Sequence, residues 1–206
     1  MINNVLKVSI SNGNSKMGSI PSVSLPPVIT CPDGVPCAKK CYAAKLCRIY
    51  PSVKKAYDNN LYVLKSDRME YWRQVRAAAK LTKYFRYHVS GDIPDSNYFR
   101  EMVLTACMIP DTKFLAFTKN YNIVNNYINT VGGLPDNLIV IFSRWSSDWN
   151  ISINNPHDLP MAAVIFKNSS NIEYTNICGG NCTNCANAGG GCWNLKNGDT
   201  IAFYEH

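Results

Sequence analysis

Between residues 84 and 167 the chain switches repeatedly between two periodicities. "YFRYHVS" (84–90), "KFLAFT" (113–118), "NLIVIFS" (137–143) and "MAAVIFK" (161–167) are short runs rich in apolar, β-branched and aromatic residues, the pattern of buried strands. "SNYFREMVLTACM" (96–108) and "YNIVNNYINTV" (121–131) instead repeat apolar residues at spacings of three and four, the pattern of helices. Ser96 is the expected N-cap of the first, and Gly132–Gly133 the expected stop of the second. Apolar strands alternating with helices predict an α/β fold: a mostly parallel sheet or a partial (β/α) barrel.

The flanks are less regular. Residues 4–10 alternate like a strand. Residues 11–36 are rich in Gly, Pro, Ser and Asn and predict an irregular loop. A short helix is expected over 37–49, stopped by Pro51, with helices over 52–65 and 68–82. From about residue 171 the chain is a glycine- and cysteine-rich coil with too little apolar content to fold alone, so a metal cluster is expected to organise it. The 206 residues suit one domain, with an irregular, cysteine-bearing segment over 1–50, a βα core over 84–167 and a cluster-binding tail over 171–206.

A hydrophobic content of 46% against 17% charged residues can build a core and excludes a disordered chain. No apolar run approaches the roughly 18–20 residues of a membrane span, and the start lacks the marks of a signal peptide, so a reducing cytoplasm is the expected setting. The net charge of +7 admits an acidic partner such as nucleic acid, but the basic residues are scattered. Their densest cluster, Lys39–Lys40 to Lys54–Lys55, lies among cysteines. A four-thiolate [4Fe–4S] cluster of charge about −2 would draw such cations.

Eight of the nine cysteines form two tight groups of four. In a reducing compartment such grouping favours metal over disulfide. Cys107 stands apart in "MVLTACMIP" and is expected to be a small buried hydrophobe. Cys178, Cys182, Cys185 and Cys192 have the spacing C-x3-C-x2-C-x6-C, interleaved with five glycines. Closely spaced thiolates on a flexible loop can reach several corners of one cubane, and glycines let backbone N–H groups approach its sulfides. A [4Fe–4S] cluster is the favoured reading; zinc and free or disulfide-bonded thiols are the alternatives, only Cys182–Cys185 having the zinc knuckle spacing. The first three cysteines also have the spacing used by radical S-adenosylmethionine enzymes, with Cys192 free to close the site. The N-terminal group, Cys31, Cys37, Cys41 and Cys47, could form a second site, supply extra ligands to the first, or be buried thiols.

A further signal lies at the strand ends. "HVSGD", "AFTK" and "IFSR" would bring Ser90, Asp92, Thr118, Lys119, Ser143 and Arg144 to the carboxyl rim, where parallel α/β folds bind ligands. Such a rim suits a small polar or anionic substrate, although strand ends are also polar simply because they leave the core. His88, His157 and His206 suggest neither a ligand set nor a catalytic triad.

"SNGNSKMGSIPSVSLPP", "TCPDGVPCAKKCYAAKLCRIYPSVKKAYDNN", "FRYHVSGDIPDSNYF", "FLAFTKN" and the C-terminal cysteines together resemble the phage gene product 88 family over nearly the whole chain. The resemblance implies a phage origin and expression in the host bacterial cytoplasm. The chain also distantly resembles phage radical S-adenosylmethionine proteins, through Cys37, Cys41 and Tyr42. Position 44 is Ala where that pattern has another cysteine, so S-adenosylmethionine is not expected as a cofactor.

The favoured expectation is an iron–sulfur enzyme of redox or radical type. Cys178, Cys182, Cys185 and Cys192 hold the cluster beside the rim. Asp92, Lys119 and Arg144 act on the substrate, Ser90, Thr118 and Ser143 line the site, and Asn14, Ser15 and Lys16 close over it. The alternatives are an electron-transfer or redox-sensing module with a host partner protein, and a zinc-stabilised nucleic-acid-binding protein.

Overall fold

The computed structural model describes residues 6–145, 153–167 and 176–205. Seven strands form one sheet in sequence order: β1 (Ile10–Ser11), β2 (Ser22–Val23), β3 (Tyr84–Tyr87), β4 (Lys113–Thr118), β5 (Leu138–Ser143), β6 (Met161–Ile165) and β7 (Thr200–Tyr204). β1 runs antiparallel to β2, and every other neighbouring pair is parallel. The helices are α1 (Tyr42–Ile49), α2 (Pro51–Ser66), α3 (Arg68–Ala79), α4 (Ser96–Met108), α5 (Tyr121–Val131) and α6 (Cys182–Asn187). The expected mostly parallel α/β sheet is therefore present, and the carboxyl ends of β3, β4 and β5 share one rim.

Strand alternation divides the side chains between two faces. Phe85, Tyr87, Phe114, Ala116, Val140 and Phe142 point to one face and pack against Trp72, Val75, Tyr98, Phe99 and Val124 of the helices. Tyr84, Leu115, Phe117, Ile139, Ile141, Ile201 and Phe203 point to the other. There they meet Met17, Ala186, Trp193 and the four C-terminal cysteines. Helices cover one face of the sheet and the cysteine-bearing tail covers the other.

Several local expectations are corrected. β2 lies inside the expected 11–36 loop, where a buried Asn60 holds it to the neighbouring chain: Nδ2 donates to the carbonyls of Ser9 (3.0 Å) and Ser24 (2.9 Å), and Oδ1 accepts from the Ser9 N–H. Pro51 opens α2 at its first turn, where a missing N–H costs nothing, and the preceding helix ends two residues before it, at Ile49. Asp95, not Ser96, caps α4 and accepts from the Tyr98 N–H (2.7 Å), because Asp95 is the last residue with extended dihedrals. β3 stops at Tyr87 because His88 turns into the left-handed region at φ 61°. Gly132 does end α5, at φ 96°. Cys107 is exposed, since its neighbours Met102, Val103 and Ala106 occupy the buried stripe of α4.

The tail is not a coil. It carries α6, a short 3-10 helix over Gly191–Asn194, and β7, which pairs with β6 along its whole length. Buried Ala186, Trp193, Ile201 and Ala202 seat it on the sheet, so the tail's own apolar residues supply part of the organisation expected of a metal. Residues 4–5 of the expected first strand and 171–175 of the expected tail lie outside the described residues. No described helix is long and apolar enough to cross a membrane.

Candidate functional site

The sheet face covered by the tail carries the C-terminal thiols. Cys178, Cys182, Cys185 and Cys192 all pack against its apolar cluster. Cys178 and Cys182 lie close enough to raise the pKa of Cys185, and those three that of Cys192. Burial pushes Cys192 up to about 12; Arg86 pulls it down, and the other three thiols push it further up. One of the interleaved glycines, Gly191, fits closely against them. A Cβ on Gly191 would fall 2.9 Å from Cys185 Sγ, and the Gly180 N–H points at Cys178 Sγ (3.4 Å).

Two cations attend this group. Arg86 projects from β3 with its guanidinium 4.8 Å from the centre of the Phe117 ring. Its Nη1 donates to Met17 Sδ (3.2 Å) and, at longer range, to Cys182 Sγ (3.8 Å). Among the described residues no carboxylate pairs with it. Lys16 lies over Phe203, 6.0 Å from the ring centre; burial lowers its pKa, and Cys178, Cys182 and Cys192 raise it against the repulsion of Arg86.

The "GNSK" loop is tied to the tail, not to the rim. Asn14 Oδ1 accepts from the Lys16 and Met17 N–H groups (2.9 Å each), folding the loop on itself. The Cys182 N–H donates to the Lys16 carbonyl (3.0 Å), and Thr183 Oγ1 donates to the Met17 carbonyl (3.1 Å). Gly18, at φ 64°, leaves room for Thr183, whose Oγ1 would lie 2.2 Å from any Cβ there. Asn14, Ser15 and Lys16 thus belong with the C-terminal thiols.

The rim residues form a second assembly. Asp92 is buried and fully engaged. Its Oδ1 accepts from Thr118 Oγ1 (2.5 Å) and the Ile93 N–H (2.7 Å), and its Oδ2 accepts from the Lys119 N–H (2.8 Å). Burial raises its pKa against these donors. Lys119 Nζ donates to Ser143 Oγ (2.8 Å), and the Tyr121 hydroxyl donates to the Ser143 carbonyl (2.6 Å). Burial and the charge of Asp92 push the Tyr121 hydroxyl up to about 12, with Arg144 opposing. Arg144 is buried, its N–H bonded to the Ala162 carbonyl (2.7 Å). Ser90 is buried with its Oγ unpartnered.

The thiols beside the rim are N-terminal ones. The charge of Asp92 acts on both Cys31 and Cys37, that of Lys119 acts on Cys37, and Cys37 in turn acts on Tyr121. The structure brings together Ser90, Asp92, Thr118, Lys119, Ser143 and Arg144 as the strand ends predict, and sets Cys31, Cys37 and Cys41 next to them. Sequence reasoning missed Arg86 and Tyr121. The signal for Arg86 was available: a charge in an otherwise apolar strand, two residues from Tyr84 and so on its face. Among the described residues, no three of His, Cys, Asp and Glu are placed to hold a single metal ion.

His88 sits behind the rim in the helix-covered core, its Nε2 3.0 Å from the Tyr98 hydroxyl and its Nδ1 without a partner. Burial, reinforced by Arg86, lowers its pKa to about 3. An unfolded histidine titrates near 6.5, so between the two values only the unfolded chain takes up the proton, and stability falls as pH drops through that window. At about pH 5 the loss is about 2 kcal/mol relative to pH 8. Asp92, with its raised pKa, contributes the opposite slope in both proteins, so urea midpoints of wild type and His88→Gln compared at the two pH values isolate the histidine. Equal pH responses would refute a buried neutral His88.

Fold and site together define an α/β protein with consecutively ordered strands, whose C-terminal cysteines lie on the sheet face opposite the main helices and whose Cys31 and Cys37 lie at the strand rim. The chain belongs to the Gene product 88 family of bacteriophage proteins, whose model matches residues 3–198. No curated protein and no solved structure matches it significantly.

Proposed function

We propose that this is a phage-encoded iron–sulfur protein holding a [4Fe–4S] cluster on Cys178, Cys182, Cys185 and Cys192. The observation that carries the reading is Arg86, a half-buried guanidinium whose side-chain acceptors among the described residues are sulfur atoms. A cation in an apolar setting needs a negative partner, and four gathered thiols holding a cluster of charge about −2 provide one. Lys16 adds a second positive charge, and the close approach of Gly191 to Cys185 leaves no room for a larger residue.

Donor spacing along the chain supports a cluster over zinc, since only Cys182–Cys185 has the zinc knuckle spacing. Tetrahedral bonds of about 2.3 Å put zinc-bound sulfurs roughly 3.8 Å apart, whereas a cubane spreads its thiolates more widely. Bound there, the cluster would supply a one-electron couple, with Arg86 and Lys16 offsetting its charge. The consecutive strand order would suit a partial barrel, and the rim of Asp92, Lys119 and Arg144 would receive a small polar or anionic substrate for redox or radical-type chemistry in the host bacterial cytoplasm.

Anaerobically purified protein is expected to be brown, absorbing broadly near ~400 nm, and the Cys182→Ser/Cys185→Ser double variant to lose about four irons and four sulfides per chain. Colourless protein carrying zinc, lost in the same variant, would replace the cluster by a structural zinc. In that event a steeply salt-dependent shift of DNA or RNA would point to a nucleic-acid-binding role.

A further inference from the structure

We propose that Cys31, Cys37 and Cys41 form a second iron–sulfur site at the rim, held by three protein thiolates, with its fourth corner open to a small carboxylate-type anion secured by Lys119. This deepens the reading of the rim as a substrate site but does not depend on the C-terminal cluster.

The segment carrying these cysteines is pinned to the loop after β3 from both sides. Upstream, the Leu25 N–H donates to the Ser90 carbonyl (3.0 Å), and Ser24 Oγ accepts from the Val89 and Ser90 N–H groups (3.1 and 3.3 Å). Thr30 Oγ1 donates to the Pro26 carbonyl (2.8 Å) and accepts from the Asp92 N–H (3.2 Å). Downstream, the Tyr42 hydroxyl donates to the Val89 carbonyl. The fit is tight: at Gly91, φ 77°, a Cβ would come within 2.6 Å of Thr30 Oγ1 and 2.8 Å of the Leu25 carbonyl oxygen.

Between those anchors the three thiols gather. Cys37 and Cys41 both act electrostatically on Cys31, and Cys41 acts on Cys37. Cys37 lies in a 3-10 helix over Pro36–Lys40, and Cys41 follows directly as its C-cap. Val28, three residues before Cys31, takes φ 68°, which is unfavourable for a β-branched side chain and persists only where the surroundings impose it. Cys47 is not a member of the group. It lies on α1, its main charged neighbours are Asp58 and Lys54 of α2 with Cys41 a weaker one, and it acts on neither Cys31 nor Cys37.

Among the described residues no fourth thiol acts on Cys31 or Cys37. Asp92 is the adjacent carboxylate, but both its oxygens are committed to Thr118, Ile93 and Lys119. Besides Asp92, what acts on these thiols from the rim is a cation, Lys119 on Cys37. Lys119 Nζ bonds to a serine hydroxyl, not to a carboxylate, and so keeps a charge to offer. Three thiolates ligate three irons of a cubane, the remaining iron takes an exchangeable ligand, and Lys119 supplies the charge that holds an anion there.

Iron and sulfide are to be counted on the anaerobically reconstituted full chain. Wild type is expected to hold about eight irons, and the Cys37→Ser/Cys41→Ser and Cys182→Ser/Cys185→Ser variants about four each. Cys47→Ser retains the full count. Single Cys41→Ala, checked for folding by circular dichroism, guards against a misfolded double variant and also falls to about four irons. Full iron in the Cys37→Ser/Cys41→Ser variant, or iron loss in Cys47→Ser, overturns the three-thiolate site. If only Cys37→Ser/Cys41→Ser loses iron, this site stands and the C-terminal cluster fails. The open corner is probed in reduced Cys182→Ser/Cys185→Ser protein with citrate. Citrate shifts the electron paramagnetic resonance spectrum, and Lys119→Met raises the concentration needed about tenfold or more. A spectrum unchanged by citrate overturns the open corner.

Discussion

Replacing Asp92 by alanine is expected to destabilise the protein by about 3–5 kcal/mol, the loss seen when one member of a buried, charge-assisted network is removed. The carboxylate is 4% exposed and accepts from the Thr118 hydroxyl and from the Ile93 and Lys119 N–H groups. Alanine leaves all three donors without an acceptor and gives them no water, and each orphaned donor costs about 1–3 kcal/mol before relaxation. Asparagine keeps the shape and one acceptor oxygen but turns an NH2 group toward one of the donors, so Asp92→Asn falls between alanine and wild type. Urea denaturation at neutral pH measures the series. A loss below about 1 kcal/mol for Asp92→Ala would mean that the loop after β3 does not rest on this carboxylate. The direction follows from the position of Asp92, which joins the end of β3 to the end of β4 and fixes the backbone from which Lys119 reaches Ser143. Asp92 therefore serves as a positioning residue for the rim.

Trp193→Ala is expected to cost about 3–5 kcal/mol, the usual range for removing a large buried aromatic side chain. Trp193 is 2% exposed, packs edge-on against Tyr84 at 5.0 Å between ring centres, and donates from Nε1 to the Cys182 carbonyl (3.2 Å). It joins the 3-10 helix that carries Cys192 both to the sheet and to the first residue of α6. The loss falls first on the tail, so it appears as proteolytic cleavage within 178–195 and as unfolding at lower urea, with the helix-covered core retained until later. Trp193→Phe keeps the ring contact and gives up the hydrogen bond, and is expected to lose about 1 kcal/mol beyond any packing change. Equal protease resistance in wild type and Trp193→Ala would show that β7 alone holds the tail.

Much of the middle of the chain was legible without coordinates. The bounds of α4, β4 and α5 coincide with those read from periodicity, and Gly132 ends α5 as its position predicts. These features are local, since a helical stripe or an apolar run is written into consecutive residues. The two-residue β2 and the strand β7 were not legible. β2 owes its place to a pairing with β3, across more than sixty residues, and to Asn60 on α2. "TIAFY" follows a glycine- and asparagine-rich stretch and becomes a strand through its pairing with β6.

The same division holds at the site. Sequence alone determined the inventory: two groups of cysteines, a set of hydroxyl and charged residues at strand ends, and a loop rich in turn formers. It also determined that those strand ends would share a rim, because parallel strands of one sheet all point the same way. Only the tertiary structure decided which thiols meet which rim. The crossovers carry Asp92, Lys119 and Ser143 to the side where Thr30 and Tyr42 anchor the N-terminal cysteines. The chain end, returning as β7 beside β6, lays the C-terminal cysteines over Arg86 and the "GNSK" loop instead. Spacing along a chain reports on ligands within one loop. The pairing of segments a hundred residues apart depends on strand order and on which sheet face remains uncovered, and neither is written in any single stretch of sequence.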